Sequence, residues 1–202
     1  MDDITIKAYE ELAQEYDEET AEFWDDFPTA FVEAFTKSLA GPAHVLNIGS
    51  GPGRDGSLLY AAGINVVCLD ASKKMVAMSK DRGLLSVHGD FMHLPFPAES
   101  FDGVWAYTAL LHIKKTELPQ ALSELSRVLK SGGTLALGMI EGEGEIYRQS
   151  SGVSLPRLFA YYRLDELKEI LHQAGFAVTQ STELKPNGGK YIYLNILARK
   201  VN

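Results

Sequence analysis

"VLNIGSGPGRDG", Val45 to Gly56, is the stretch on which the fold turns. An apolar run interrupted by Asn47 leads into Gly49, Gly51, Gly53 and Gly56. A glycine-rich turn between a buried strand and a helix lets a ligand reach the backbone, because any side chain there would fill the ligand's place. Open parallel sheets bind ligands at the carboxyl ends of their strands, where such a turn lies. The next apolar run ends in Asp70, 21 residues after Gly49. In such folds an acid at that spacing accepts hydrogen bonds from a ribose hydroxyl pair. Turn and acid together predict a nucleoside site. The competing reading is a tight turn, with Asp70 only capping the helix "SKKMVAM".

Outward from this stretch, short β-type runs alternate with helical periods. The strands read as 44–49, 64–70, 84–90, 102–108 and 134–140, then 176–184 and 191–199. The first five are nearly continuous apolar runs, as when both faces of a sheet are covered. Leu118, Ala121, Leu122, Leu125 and Leu129 repeat at helical spacing over 116–130, with "SGG" (131–133) as a left-handed cap. Leu167, Ile170, Leu171 and Ala174 do the same over 164–175. Strict alternation predicts right-handed crossovers and an α/β, Rossmann-like, doubly wound sheet of seven mostly parallel strands. Its last two strands, joined by the turn cluster "KPNGG", form a C-terminal antiparallel hairpin at the sheet edge. Ahead of the sheet, Tyr9, Leu12, Ala13 and Tyr16 share one helical face. Phe31, Ala34, Phe35 and Leu39 share another, in a helix that Pro28 starts. The expected organisation is one domain over 1–202. It comprises a helical lead-in (1–43), a cofactor-binding core (44–140), a substrate-covering segment (141–163), and a C-terminal helix and hairpin (164–202).

Size and composition fit that reading. The chain has 202 residues, 46% hydrophobic and 23% charged, which suits one sizeable globular domain. No apolar run approaches the ~20 residues of a membrane span. The acidic start "MDDITIKAYEELAQEYDEE" is unlike a secretory leader, and Cys68 is the one cysteine, so the expected location is the cytoplasm. A net charge of −8 disfavours nucleic acid and makes a small uncharged or cationic molecule the easier partner.

"GPGRDG" also matches the dinucleotide fingerprint, so an NAD-dependent oxidoreductase is a rival. A dinucleotide needs a second mononucleotide-binding half after the fourth strand. Here a helix and a hairpin close the sheet instead, leaving room for one nucleoside and a short tail. Over nearly all of residues 40–200 the sequence resembles the class I S-adenosylmethionine-dependent methyltransferases, in the small-molecule branch that includes quinone-biosynthesis-type C-methyltransferases. "VLNIGSGPGRDG" is similar to that family's first motif and "VVCLDASKKM" to its second. "VHGDFMHLPFPAESFDGVWAYTALLHI" matches the third and fourth, "ALSELSRVLKSGGTLALGM" the approach to the fifth strand, and "RLDELKEILHQAGFAV" a late element.

The resemblance implies S-adenosyl-L-methionine as cofactor, S-adenosyl-L-homocysteine as product and a small-molecule methyl acceptor. It implies that Gly49, Ser50, Gly51 and Gly53 line the methionine and ribose portion, and that Asp70 holds the ribose hydroxyls. Ala71, Ser72 and Met75 would lie beside the adenine, and Asp90 would accept from its amino group between Gly89 and Phe91. Ala106 and Tyr107 would meet the methionine end, and Tyr9 and Tyr16 would fold over the cofactor. Where the family has an acid, this chain has Asn47, which implies weaker binding or compensation by another carboxylate.

Methyl transfer needs a general base only if the acceptor must lose a proton. His112 and Tyr107 are the candidates, and for His112 a hydrogen bond to backbone is an equal alternative. His44, His88 and His93 read as packing or loop residues, with no metal-ligand spacing. Tyr147, Arg148, Arg157, Phe159, Tyr161 and Tyr162 are the candidates for acceptor contact, against packing on the sheet and charge balance with Glu141, Glu143 and Glu145. Two further rivals stand: a protein that binds the cofactor without turnover, and a methyltransferase for macromolecules.

Overall fold

The computed structural model describes residues 2–21, 29–150, 153–186 and 189–201. The residue expected to start the second helix, Pro28, lies outside them. A seven-stranded sheet carries the order β3-β2-β1-β4-β5-β9-β8. Its strands are β1 (His44–Ile48), β2 (Asn65–Asp70), β3 (Leu85–His88), β4 (Phe101–Tyr107), β5 (Leu129–Ile140), β8 (Phe176–Leu184) and β9 (Tyr193–Lys200). The first five run parallel, while β9 lies antiparallel to both β5 and β8. The C-terminal hairpin is therefore joined to the sheet through β9, with β8 outermost. Chain order reverses between β1 and β4, and that switch point is where such sheets bind ligands.

Strand parity sorts the core. Leu46, Ile48, Val104, Ala106, Leu135 and Leu137 join one apolar cluster. Val45, Trp105, Tyr107 and Ala136 join the other. The helix α6 (Leu118–Val128) buries Leu118, Ala121, Leu122, Leu125 and Val128 against the first cluster, as its spacing predicts. The helix α7 (Leu164–Gln173) adds Leu167 and Leu171. The helix α3 (Thr29–Ser38) brings Phe31, Val32 and Phe35 to the second. At about 25 cal/mol per Å² of apolar area removed from water, these paired faces are the main stabilising term. Among the described residues no helix is long and apolar enough to cross a membrane.

Two expectations are corrected. "SGG" does not cap the preceding helix: Leu129 is already extended (φ −72, ψ 136), and Gly132, at φ +71, bends the start of β5. The lead-in helix breaks at Leu12, giving α1 (Asp3–Glu11) and α2 (Ala13–Glu19), which places Tyr9 and Tyr16 on different helices. Segment 141–163, for which the sequence offered no element, has regular structure. It contains an antiparallel pair, β6 (Glu145–Ser150) and β7 (Val153–Ala160), standing apart from the main sheet. Two short helices complete the nucleoside side, α4 (Arg54–Ala61) after the glycine turn and α5 (Lys73–Asp81) after Asp70.

Candidate functional site

The carboxyl ends of β1, β2 and β4 converge on a cavity. Gly49 and Gly51 line it from the turn after β1, Asp70, Ala71, Ser72 and Met75 from the end of β2, and Thr108, Ala109 and His112 from the chain after β4. Ile6, Tyr9 and Tyr16 close it from α1 and α2. Asp70 ties the turn together: its Oδ2 accepts from the Gly51 N–H at 2.8 Å and its Oδ1 from the Ser72 N–H at 2.8 Å. Burial pushes its carboxyl up to about 6, against the pull of those two donors and of His88. Each oxygen retains a lone pair for a further donor.

The glycines divide by role. A Cβ on Gly51 would meet only the Tyr16 ring, at 3.9 Å, so this position is open to a guest. A Cβ on Gly53 would lie 2.7 Å from Ser79 Oγ and 2.8 Å from Leu84, and one on Gly56 2.7 Å from Cys68 Sγ. Those two permit helix–sheet packing, and Gly53 does not line the cavity. Gly49 combines both, since its Cβ would strike Ala109 at 2.5 Å.

Beneath the turn a carboxylate does stand near Asn47. Asp55 Oδ1 accepts from Asn47 Nδ2 and from the Gly56 N–H, each at 2.9 Å, and Oδ2 accepts from Trp105 Nε1 at 3.0 Å. Asp55 is 4% exposed, and burial raises its carboxyl to about 6 despite these three donors, so it is ionised at neutral pH. An acid eight residues further along the chain, in the first turn of α4, thus lies against Asn47.

A wider, more open cleft adjoins the first cavity. The two share Tyr9, Tyr16, Thr108 and His112. Beyond them lie Arg148, Arg157 and Phe159 of the β6–β7 pair, with Lys190, Tyr191 and Tyr193 before and at the start of β9. A polar chain crosses the junction. Arg157 donates to the Tyr9 hydroxyl at 2.6 Å, and that hydroxyl lies 2.7 Å from His112 Nε2. His112 Nδ1 faces the Leu158 carbonyl at 2.6 Å, and a carbonyl only accepts. The proton is therefore on Nδ1, and Nε2 accepts from Tyr9. Burial, with Arg157 and Arg148 nearby, lowers His112 to about 3. The histidine is neutral and holds Tyr9 in place. Thr108, at φ +52, is a β-branched residue in a conformation it rarely takes, and such strain concentrates at functional sites.

Other candidates lie elsewhere. Tyr107 is 3% exposed, with Gly138 against its ring and Trp105 and Tyr193 stacked beside it. Burial raises its phenol far above the ordinary value, and it lines neither cavity, so it is not placed as a base. Parity explains this: Tyr107 shares the sheet face of Trp105. Ala106 faces the opposite core. Phe91 is buried in that same core, and Asp90 Oδ1 caps the Met92 N–H at 2.9 Å. With Gly89, they adjoin Asp70 without lining the cavity. Ser50 is buried behind the turn. Of the acceptor candidates, Arg148, Arg157 and Phe159 line the cleft, and Tyr161 supports Arg148 through a 2.8 Å hydrogen bond. Tyr162 is buried in the core and Tyr147 is exposed away from the cleft. The sequence reading missed Ile6, Thr108, Ala109, Lys190, Tyr191 and Tyr193. The available signal was a pair of tyrosines at i, i+2 where the last strand begins.

Residues 46–137 match the family described as Methyltransferase domain. The chain is 30% identical over 181 residues to the 27-O-demethylrifamycin SV methyltransferase of Amycolatopsis mediterranei, covering 76% of this chain and 64% of that one. It is 32% identical over 150 residues to the demethylmenaquinone methyltransferase of Corynebacterium glutamicum, covering 74% and 57%. Among solved structures, the Burkholderia thailandensis 1,6-didemethyltoxoflavin-N1-methyltransferase, with bound 1,6-didemethyltoxoflavin and S-adenosylhomocysteine, aligns with a TM-score of 0.77. It is 21% identical, over 98% of this chain and 88% of that one, and at this identity the likeness is one of fold. The matched residues 46–137 span the parallel core from β1 to β5, and with it the glycine turn and Asp70, and the fold is that of the solved methyltransferase structures it aligns with. The chain spans about half to two thirds of the length of the curated relatives it matches.

Proposed function

We propose that the protein is an S-adenosyl-L-methionine-dependent methyltransferase acting on a small-molecule acceptor. One observation carries the reading: the cavity at the β1/β4 switch point, lined by Gly51 and Asp70, opens into a second cleft through four shared residues, Tyr9, Tyr16, Thr108 and His112. The first cavity fits the nucleoside, with bare backbone at Gly51, the Asp70 carboxylate for ribose hydroxyls, and Ile6, Ala71 and Met75 as an apolar wall for a base. When bound, the cofactor supplies a methyl group already activated by its positive sulfur, so the chain's part is alignment and exclusion of water. Tyr9, held by His112 and Arg157, is the fixed edge of the junction. Asp55, ionised beneath the glycine turn, adds negative potential where the family has its acid. Neither His112 nor Tyr107 is placed as a free base, which suits an acceptor atom that is already nucleophilic at working pH.

The dinucleotide alternative lacks its second half, because the sheet continues past β5 into antiparallel β9 and β8. The test is an acceptor screen that detects release of S-adenosylhomocysteine, with Asp70→Ala as control. Turnover that falls at least tenfold in the variant supports the proposal. Tight cofactor binding with no turnover on any small molecule would replace it with a cofactor-binding protein.

A further inference from the structure

The wall of the second cleft opposes the charge of the molecule. The chain is −8 overall, yet among the described residues the cleft is lined by Arg148, Arg157 and Lys190 against one carboxylate, that of Glu19. Low-dielectric walls of one sign concentrate the field inside a cleft, so the local potential decides what enters. The cations alternate with rings: Arg148 Cζ lies 3.8 Å from the Phe159 ring centre and 4.8 Å from that of Tyr191, and Lys190 Nζ lies 5.5 Å from Tyr191. Stacking and the hydrogen bond from Arg148 Nε to the Tyr161 hydroxyl fix the plane of the guanidinium. No carboxylate among the described residues pairs with Arg148. Its two terminal amino groups form a planar fork suited to two oxygens of one anion. Tyr191 and Tyr193 supply ring area beside it.

Resting on the methyltransferase reading, we infer that the acceptor is a small planar aromatic acid, its anionic group on Arg148 and Lys190 and its nucleophilic atom toward Thr108 and His112. The whole-chain charge pointed to an uncharged or cationic partner, and the cleft wall reverses that. An anionic acceptor also suits a junction without a free base, because its ring is more electron-rich than that of the neutral form.

The test titrates protein saturated with S-adenosylhomocysteine against a panel of substituted benzoic, indole and quinoline carboxylic acids and the primary amide of each, by calorimetry. The best acids are expected to bind roughly tenfold to hundredfold more tightly than their amides. Arg148→Gln abolishes that preference while leaving S-adenosylhomocysteine affinity within about twofold, and Arg148→Lys keeps part of it. If no acid in the panel outbinds its amide, the inference is overturned while the methyltransferase reading stands. If Arg148→Gln weakens S-adenosylhomocysteine instead, Arg148 serves the cofactor's own carboxylate, and the inference is likewise overturned. Failure of S-adenosylhomocysteine to bind at all removes both.

Discussion

Asn47 and Asp55 share one buried contact, and that contact fixes what each position tolerates. Restoring an acid with Asn47→Asp would place two carboxylates where Asn47 Nδ2 now donates to Asp55 Oδ1 at 2.9 Å. Like charges so close cannot both ionise, so the pair would hold a proton that the unfolded chain releases. The folded pKa is raised, so stability is lost as pH rises. Asn47→Asp should therefore melt close to wild type near pH 4–5 and be weaker by about 2–4 kcal/mol near pH 8. Equal melting at both pH values would show that Asp55 is not the resident charge. Asp70 carries a second prediction. Its carboxyl sits at about 6, and ribose hydroxyls are best accepted by the ionised form, so S-adenosylhomocysteine should bind more weakly below pH 6. Asp70→Ala should cost about 1.5–3 kcal/mol of that binding at pH 7.5, by calorimetry. A pH-independent affinity, or an unchanged one in the variant, would remove Asp70 from the site. Asp70 was legible because spacing alone places it one strand from the turn. Asp55 was not, because an acid in the first turn of a helix reads as an ordinary dipole partner until its burial is seen. The place of Tyr107 follows from parity along β4, where it shares the face of Trp105 and not that of Ala106.

At the scale of elements, α1 and α2 are strapped across the first cavity by separated polar contacts. Thr5 Oγ1 accepts from the Leu158 N–H at 3.0 Å, and Glu10 accepts from Ser72 Oγ at 2.7 Å and the Lys74 N–H at 3.1 Å. Asp17 receives Arg54 at 2.6 Å and Arg82 at 2.7 Å. Ile6, Tyr9 and Tyr16 of this helix pair line the cavity, so release of the pair would open it, and lid opening commonly sets exchange rates. Asp17→Asn should speed dissociation of S-adenosylhomocysteine about three- to tenfold with little change in melting temperature, measured by stopped-flow displacement. Unchanged dissociation would mean that the cofactor leaves by another route. The helical lead-in was visible in the sequence as aromatic spacing, but its break at Leu12 was not, since no Gly or Pro marks it. The β6–β7 pair escaped notice for a related reason. It stands off the sheet, so its residues do not alternate between a core and solvent, and Pro156 sits within one strand.

For the molecule as a whole, the parallel core and terminal hairpin were readable because doubly covered strands and amphipathic helices obey distinct periods. The acceptor cleft was not readable, because it is assembled from α1, α2, the chain after β4, the β6–β7 pair and the residues before β9, far apart in sequence. A ligand that binds only the folded chain stabilises it by mass action, about 2.7 kcal/mol at a hundred times its Kd. For a chain of this size that corresponds to a rise in Tm of roughly 5–10 °C. The most direct measurement is isothermal titration of the full chain with S-adenosylhomocysteine and, separately, with NAD. One equivalent of S-adenosylhomocysteine should bind and NAD should give no heat, whereas binding of NAD, or silence with S-adenosylhomocysteine, would contradict the assignment of the cavity.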